Sequence, residues 1–123
     1  MPVLPAPATA THELGGTRFT SLATPSRGST ETSVWTVELA PDAPVVPHSV
    51  TREEVFVVLD GAVRVLLDGV AHSASVGDAI VVPPGVPFAL TAGGTVPARL
   101  LCCLPVGGQA VAGGSTFTPP WAE

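Results

Sequence analysis

The chain has 123 residues, the length of one domain, and its 46% of apolar residues against 12% charged is high enough to expect that another subunit covers part of the surface. The net charge is −5, and the basic residues are five scattered arginines, Arg18, Arg27, Arg52, Arg64 and Arg99, with no lysine. No basic patch can form to neutralise several phosphates at once, so nucleic acid is excluded as a partner.

Met1 to Ala10 is rich in proline and alanine and lacks the basic start and long apolar centre of a secretory signal. It reads as a loose start to an N-terminal arm over residues 1–14, and a cytoplasmic location is expected. No apolar run reaches the ~18 residues a membrane helix needs. From Thr17 onward, short apolar or alternating runs end in breakers. They are Thr17 to Leu22, Ser33 to Leu39, Val55 to Leu59, Ala62 to Leu67, Val70 to Ala74, Ala79 to Val82, Phe88 to Thr91 and Ala98 to Leu104. Fourteen prolines and thirteen glycines punctuate them, and no segment keeps a period near 3.6. Short strands at this spacing predict an all-β sandwich or barrel.

Between the runs, Ser26 to Ser33 reads as a loop. Asp60-Gly61 and Asp68-Gly69 read as tight hairpin turns, because both residue types tolerate positive φ. Pro83-Pro84-Gly85 forces another sharp turn and cannot continue a central strand. Cys102 and Cys103 are neighbours in a strand, point to opposite faces, and so do not form a disulfide with each other. They read as two small buried residues, with the alternative that one of them faces a pocket as a thiolate. The tail, residues 113–123, carries Phe117-Thr118-Pro119-Pro120-Trp121, an extended segment expected to pack its aromatics on the body.

Two stretches carry the chemistry. The first runs from His48 through Val50 and Glu54 to Gly61; the second runs from Gly77 through Pro83 and Gly85 to Phe88. Together they resemble the two motifs of the cupin superfamily. The first motif reads His, any, His, three or four residues, Glu, six residues, Gly. The second reads Gly, five residues, Pro, any, Gly, two residues, His. His48, Glu54, Gly61, Gly77, Pro83 and Gly85 match. Val50 and Phe88 stand where the family has histidines. The resemblance spans roughly residues 33–105 and implies an all-β double-stranded β-helix, a single jelly-roll cupin barrel within one domain over residues 1–123, with a pocket inside. It also implies a homodimer joined through one sheet and the arm. In the family, Asp78 orders the turn after Gly77.

Residues two apart on a strand share a face, so His48 pairs with Val50, and Glu54 with Phe56 and Val58. In the family's register these five look into the barrel, and Val55, Val57 and Leu59 look outward, under a second sheet or at a subunit contact. Arg52 and Glu53 read as solvated rim. Family members that hold a metal use three histidines and a glutamate. Here the matching positions supply His48 and Glu54, and a catalytic site usually keeps at least three protein ligands. A third ligand would have to come from His72, which shares a face with Ala74, or from His12 on the arm; otherwise each is a strand or arm histidine with a structural or solvent role. No resident metal or other cofactor is expected.

Three readings stand. In the first, the chain binds a small molecule in an apolar pocket walled by Val50, Phe56, Val58, Phe88 and Leu90, with Val63, Val65 and one cysteine beside them. His48 and Glu54 are then the placed polar groups. They serve as a metal-free acid–base pair, or else satisfy each other inside the barrel with no catalytic role. In the second, a metal-dependent dioxygenase or isomerase uses His48, Glu54 and His72. In the third, the barrel is a dimerisation or sensor module.

Overall fold

A computed structural model describes residues 3–123, and those residues form twelve strands. In chain order they are β1 (His12–Leu14), β2 (Thr17–Ala23), β3 (Thr32–Leu39), β4 (Ser49–Val50), β5 (Glu54–Asp60) and β6 (Val63–Leu67), then β7 (Val70–Ala74), β8 (Ala79–Val82), β9 (Phe88–Ala92), β10 (Ala98–Pro105), β11 (Ala110–Ala112) and β12 (Ser115–Phe117). Single 3-10 turns sit at Pro25–Arg27 and Pro120–Ala122. Met1 and Pro2, the first residues of the expected arm, lie outside the described part.

One layer is a six-stranded sheet in the order β1-β2-β3-β10-β5-β8. Facing it are two three-stranded sheets, β7-β6-β9 and β12-β11-β4. His48 and Phe88 exchange both backbone hydrogen bonds, at 3.0 and 2.8 Å, and this isolated bridge joins the two small sheets into an opposing layer. The result is the jelly-roll barrel that the motifs imply.

Alternation builds it. On β10, Ala98, Leu100, Cys102 and Leu104 are buried while Arg99, Leu101 and Cys103 look outward. On β5, Glu54, Phe56 and Val58 are buried and Leu59 is exposed. Val55 and Val57 are half-buried on the outer face, so no second sheet covers them. On β6, Val63 and Val65 point in and Arg64 and Leu66 point out.

The eight expected strands are all present, with ends shifted by one residue at most. Four short strands, β1, β4, β11 and β12, are additional. Asp68-Gly69 makes the expected hairpin between β6 and β7, with φ of +49° and +80°. Asp60-Gly61 does not make one. β5 and β6 belong to different layers, and the pair turns the chain from one to the other. Gly61 has φ +73°, and a Cβ there would lie 2.6 Å from the Pro97 carbonyl oxygen, so the crossing needs glycine twice over. At Gly85, φ +77°, the backbone N–H donates to the Val50 carbonyl and fastens the Pro83-Pro84 turn to β4.

The tail closes the barrel. Trp121 stacks on Phe19, with centroids 3.6 Å apart and rings 4° from parallel. The Ser21 hydroxyl donates to the Trp121 carbonyl at 2.7 Å, and the Ser33 hydroxyl to the Ala122 carbonyl at 2.8 Å. No helix among the described residues is long and apolar enough to cross a membrane.

Candidate functional site

The two ends of the barrel differ. At one end of β5, β6 and β10, Val58, Val63, Val65, Ala98 and Leu100 fill the interior, each at most 3% exposed. At their other end a cavity of about 280 Å³ opens between the layers, and along β3 it reaches past Trp35 to Val37 and Leu39, the register partners of Leu100 and Ala98. One rung of the large sheet crosses its wall. Phe56 on β5 lies opposite Cys102 on β10, Cys102 opposite Trp35 on β3, and Trp35 opposite Ser21 on β2. All four are buried, and the first three line the cavity. The mouth is rimmed by Leu14, Val46 and Phe117, exposed by 65%, 60% and 40%.

All four positions that correspond to the family's ligand positions, His48, Val50, Glu54 and Phe88, line this cavity. The backbone bridge between His48 and Phe88 sets their rings against each other at 4.3 Å. Phe88 in turn lies 5.8 Å from Phe56, at 59°. The Val46 carbonyl oxygen, 3.1 Å from His48 Nδ1, can only accept, so Nδ1 carries a proton there and Nε2 is the ring's free nitrogen.

Glu54 is 5% exposed. Burial alone pushes its carboxyl from the ordinary 4.5 up to about 8, with no neighbouring cation or donor offsetting the shift. Its oxygens are not sealed in the core; the residue looks onto the cavity. Glu54 and His48 therefore share a cavity without being bonded to each other, which corrects the expectation that they satisfy one another. At neutral pH Glu54 is a protonated acid facing apolar walls.

The cysteines divide as parity requires. Cys102 faces the cavity and is fully buried, and Cys103 is half-buried on the outer face. Burial, and then the Glu54 charge, pushes the Cys102 thiol up, so it is a neutral wall and not a thiolate.

Phe56, Phe88, Val50 and Leu90 line the cavity, and Val58, Val63 and Val65 do not. Those three valines point inward at the filled end, where partner side chains leave no space. His72 lies opposite Val65 in the register but is exposed on the edge strand β7 and does not reach the cavity. His12 lies on β1, its Nδ1 2.9 Å from the Thr11 hydroxyl, and does not line the cavity either. Asp78 accepts from the Ser75 backbone N–H at 2.8 Å and holds its turn, and Arg52 and Glu53 are exposed.

Among the described residues no three His, Cys, Asp or Glu side chains converge as metal ligands. His48, Glu54 and Cys102 are the donor side chains on the cavity wall, and Val50 and Phe88 interrupt the ring. This set does not fit a resident transition metal. Among the wall residues outside the expected set are four aromatic ones, Phe19, Trp35, Phe117 and Trp121. Strand parity on β2 and β3 supplies the signal for Phe19 and Trp35; Phe117 and Trp121 come from the tail and carry no comparable pattern.

Known structures share this architecture. The polyketide cyclase RemF from Streptomyces resistomycificus superposes with a TM-score of 0.75 at 23% identity, over 93% of this chain and 84% of that one. Salicylate 1,2-dioxygenase from Pseudoaminobacter salicylatoxidans, solved with gentisate, gives 0.70 at 20% identity over 90% of this chain and 31% of its own. At these identities the likeness concerns the fold. In sequence, the uncharacterized protein MJ1618 of Methanocaldococcus jannaschii is 36% identical over 53 residues, 43% of this chain and 42% of that relative's length. Residues 35–104 match the Cupin domain family, more than half of the chain and both motif stretches, so the chain belongs to the cupin family.

Proposed function

We propose that the barrel binds a small, mainly apolar carbonyl compound and moves protons on it without a metal, through Glu54 and His48. The observation that carries this reading is the Glu54 carboxyl, raised to about 8 and directed at an apolar cavity with no protein partner. A buried polar group without a partner is costly, and in a cavity it is a place for a ligand's polar atom. A protonated Glu54 donates to a carbonyl oxygen, as a carboxylic acid held neutral by an apolar site can.

His48 supplies the complementary group, since its Nδ1 proton is committed to Val46 and its Nε2 lone pair is free in the neutral ring. Nε2 takes a proton from the carbon next to the carbonyl while Glu54 gives its own proton to the carbonyl oxygen. The C–H bond breaks, an O–H bond forms, and the product is an enol between an imidazolium and a carboxylate. The reverse transfers restore both residues. Enolisation, isomerisation and ring closure by enol attack all begin with this step.

Exchange of the α-hydrogens of 2-tetralone for deuterium in D2O, followed by proton NMR, tests the reading. The protein accelerates exchange over buffer, and both Glu54→Gln and His48→Ala abolish the acceleration while circular dichroism stays unchanged. A wild-type rate equal to that of buffer rules out the proton-transfer step and leaves binding alone.

A further inference from the structure

The chain has four phenylalanines, two tryptophans and no tyrosine, and all six rings line this cavity. They come from six separate places, Phe19 on β2, Trp35 on β3, Phe56 on β5, Phe88 on β9, Phe117 on β12 and Trp121 in the final turn. The filled end of the barrel is built from Val, Leu and Ala, with no aromatic residue among the buried side chains there. General hydrophobic packing does not produce this partition, because aromatic rings serve a filled core as well as a hollow one.

We infer that the ligand is a flat, fused-ring aromatic or partly aromatic compound of two to three rings carrying a carbonyl, a class that rests on the cavity being the ligand site as proposed above. Size supports this. An apolar cavity of about 150 Å³ holds a single benzene, and this one measures about 280 Å³ before its mouth is counted. The rim residue Phe117, 40% exposed, continues the aromatic lining out to solvent, so a ligand longer than the enclosed space still meets a ring at the opening. Rings prefer offset-stacked or edge-to-face neighbours, and the 47° and 59° tilts along His48, Phe88 and Phe56 present both edges and faces. Each ring-on-ring contact is expected to add roughly two- to tenfold in affinity beyond area burial.

The test compares anthrone, three fused rings with one carbonyl, with dodecan-2-one, an aliphatic ketone, by quenching of the Trp35 and Trp121 fluorescence and by calorimetry. Anthrone is expected to bind at least about tenfold tighter. Phe117→Leu, at an exposed position that does not endanger folding, is expected to weaken anthrone about threefold and leave dodecan-2-one unchanged. Phe88→Leu is expected to do the same more strongly. Equal affinity for the two ketones overturns the aromatic class and leaves the proton-transfer reading intact. Failure of both to bind, together with unaccelerated exchange of 2-tetralone, overturns both readings.

Discussion

The same strands build both ends of the barrel and give them opposite characters. Along β5, Glu54 and Phe56 face the cavity, and Val58, two residues on, is sealed at 1% exposed. Along β10, Leu104 and Cys102 are cavity wall, and Leu100 and Ala98 are fully packed. The difference lies in what faces each strand from the opposing layer. At the filled end β6 supplies Val63 and Val65; at the open end the opposing surface is made by the short β4 and β11, with Val50 and Ala110, and by His48 and Phe88. Packing therefore closes one end of β5 and β10 and leaves the proposed ligand site at the other, and substitutions should separate them.

The largest expected separation concerns Glu54. Unfolded, it titrates at the ordinary 4.5, and folded at about 8, so the folded chain holds the proton more tightly. Its neutral form costs nothing below the unfolded value. Stability then falls as pH rises from about 4.5 to about 8, by on the order of 5 kcal/mol. Glu54→Gln removes this slope, and the urea midpoint at pH 8.5 should rise towards that at pH 5. An unchanged slope in the variant assigns the titration to another group.

At the filled end, Leu100→Ala is expected to cost about 3 kcal/mol, because its surroundings are closed on every side. Phe117→Leu at the mouth should cost less than about 1 kcal/mol. Ligand affinity should respond in the opposite order, falling for Phe117→Leu and holding for Leu100→Ala. Equal costs from the two unfolding curves mean that the two ends do not differ as described. Gly61→Ala comes next, at roughly 2 kcal/mol, from the positive φ and the Pro97 carbonyl at 2.6 Å from the new Cβ.

Which of these features the sequence discloses follows from how local they are. Val70–Ala74 and Ala79–Val82 appear at their expected residues, because each is a short run closed off by breakers, Gly69 and Gly77 around the first and Asp78 and Pro83 around the second, which the segment itself carries. β4 and β11 have two and three residues, too short for any period, and form because each supplies the other's hydrogen bonds. Parity placed Phe56 and Val58 on one face correctly but carries no depth, so it put both in the pocket. The reach of His72 failed for a related reason. Its register partner Val65 is buried, yet His72 stands on an edge strand where nothing covers it. The raised carboxyl of Glu54 is a property of walls drawn from both layers and the tail, and no single segment contains it.

The smallest energetic effect with a definite readout belongs to the outer face of the large sheet, away from both ends. Val55 lies opposite Cys103 and Val81, and Val57 opposite Leu101 and Ala79, an uncharged surface with Val81 exposed by 51%. The homodimer expected from the resemblance would cover this face. Val57→Arg adds a charge at its centre without entering the barrel, so the protomer's own stability should change by no more than about 0.5 kcal/mol. Light scattering should then show the wild-type mass falling by half in the variant, with anthrone affinity unchanged, because the cavity wall is carried by the opposite side of the same strands. A variant that keeps the wild-type mass places any subunit contact elsewhere. A variant that loses anthrone binding along with its partner makes the cavity depend on assembly, and the separation between wall and outer face would then fail at the sheet they share.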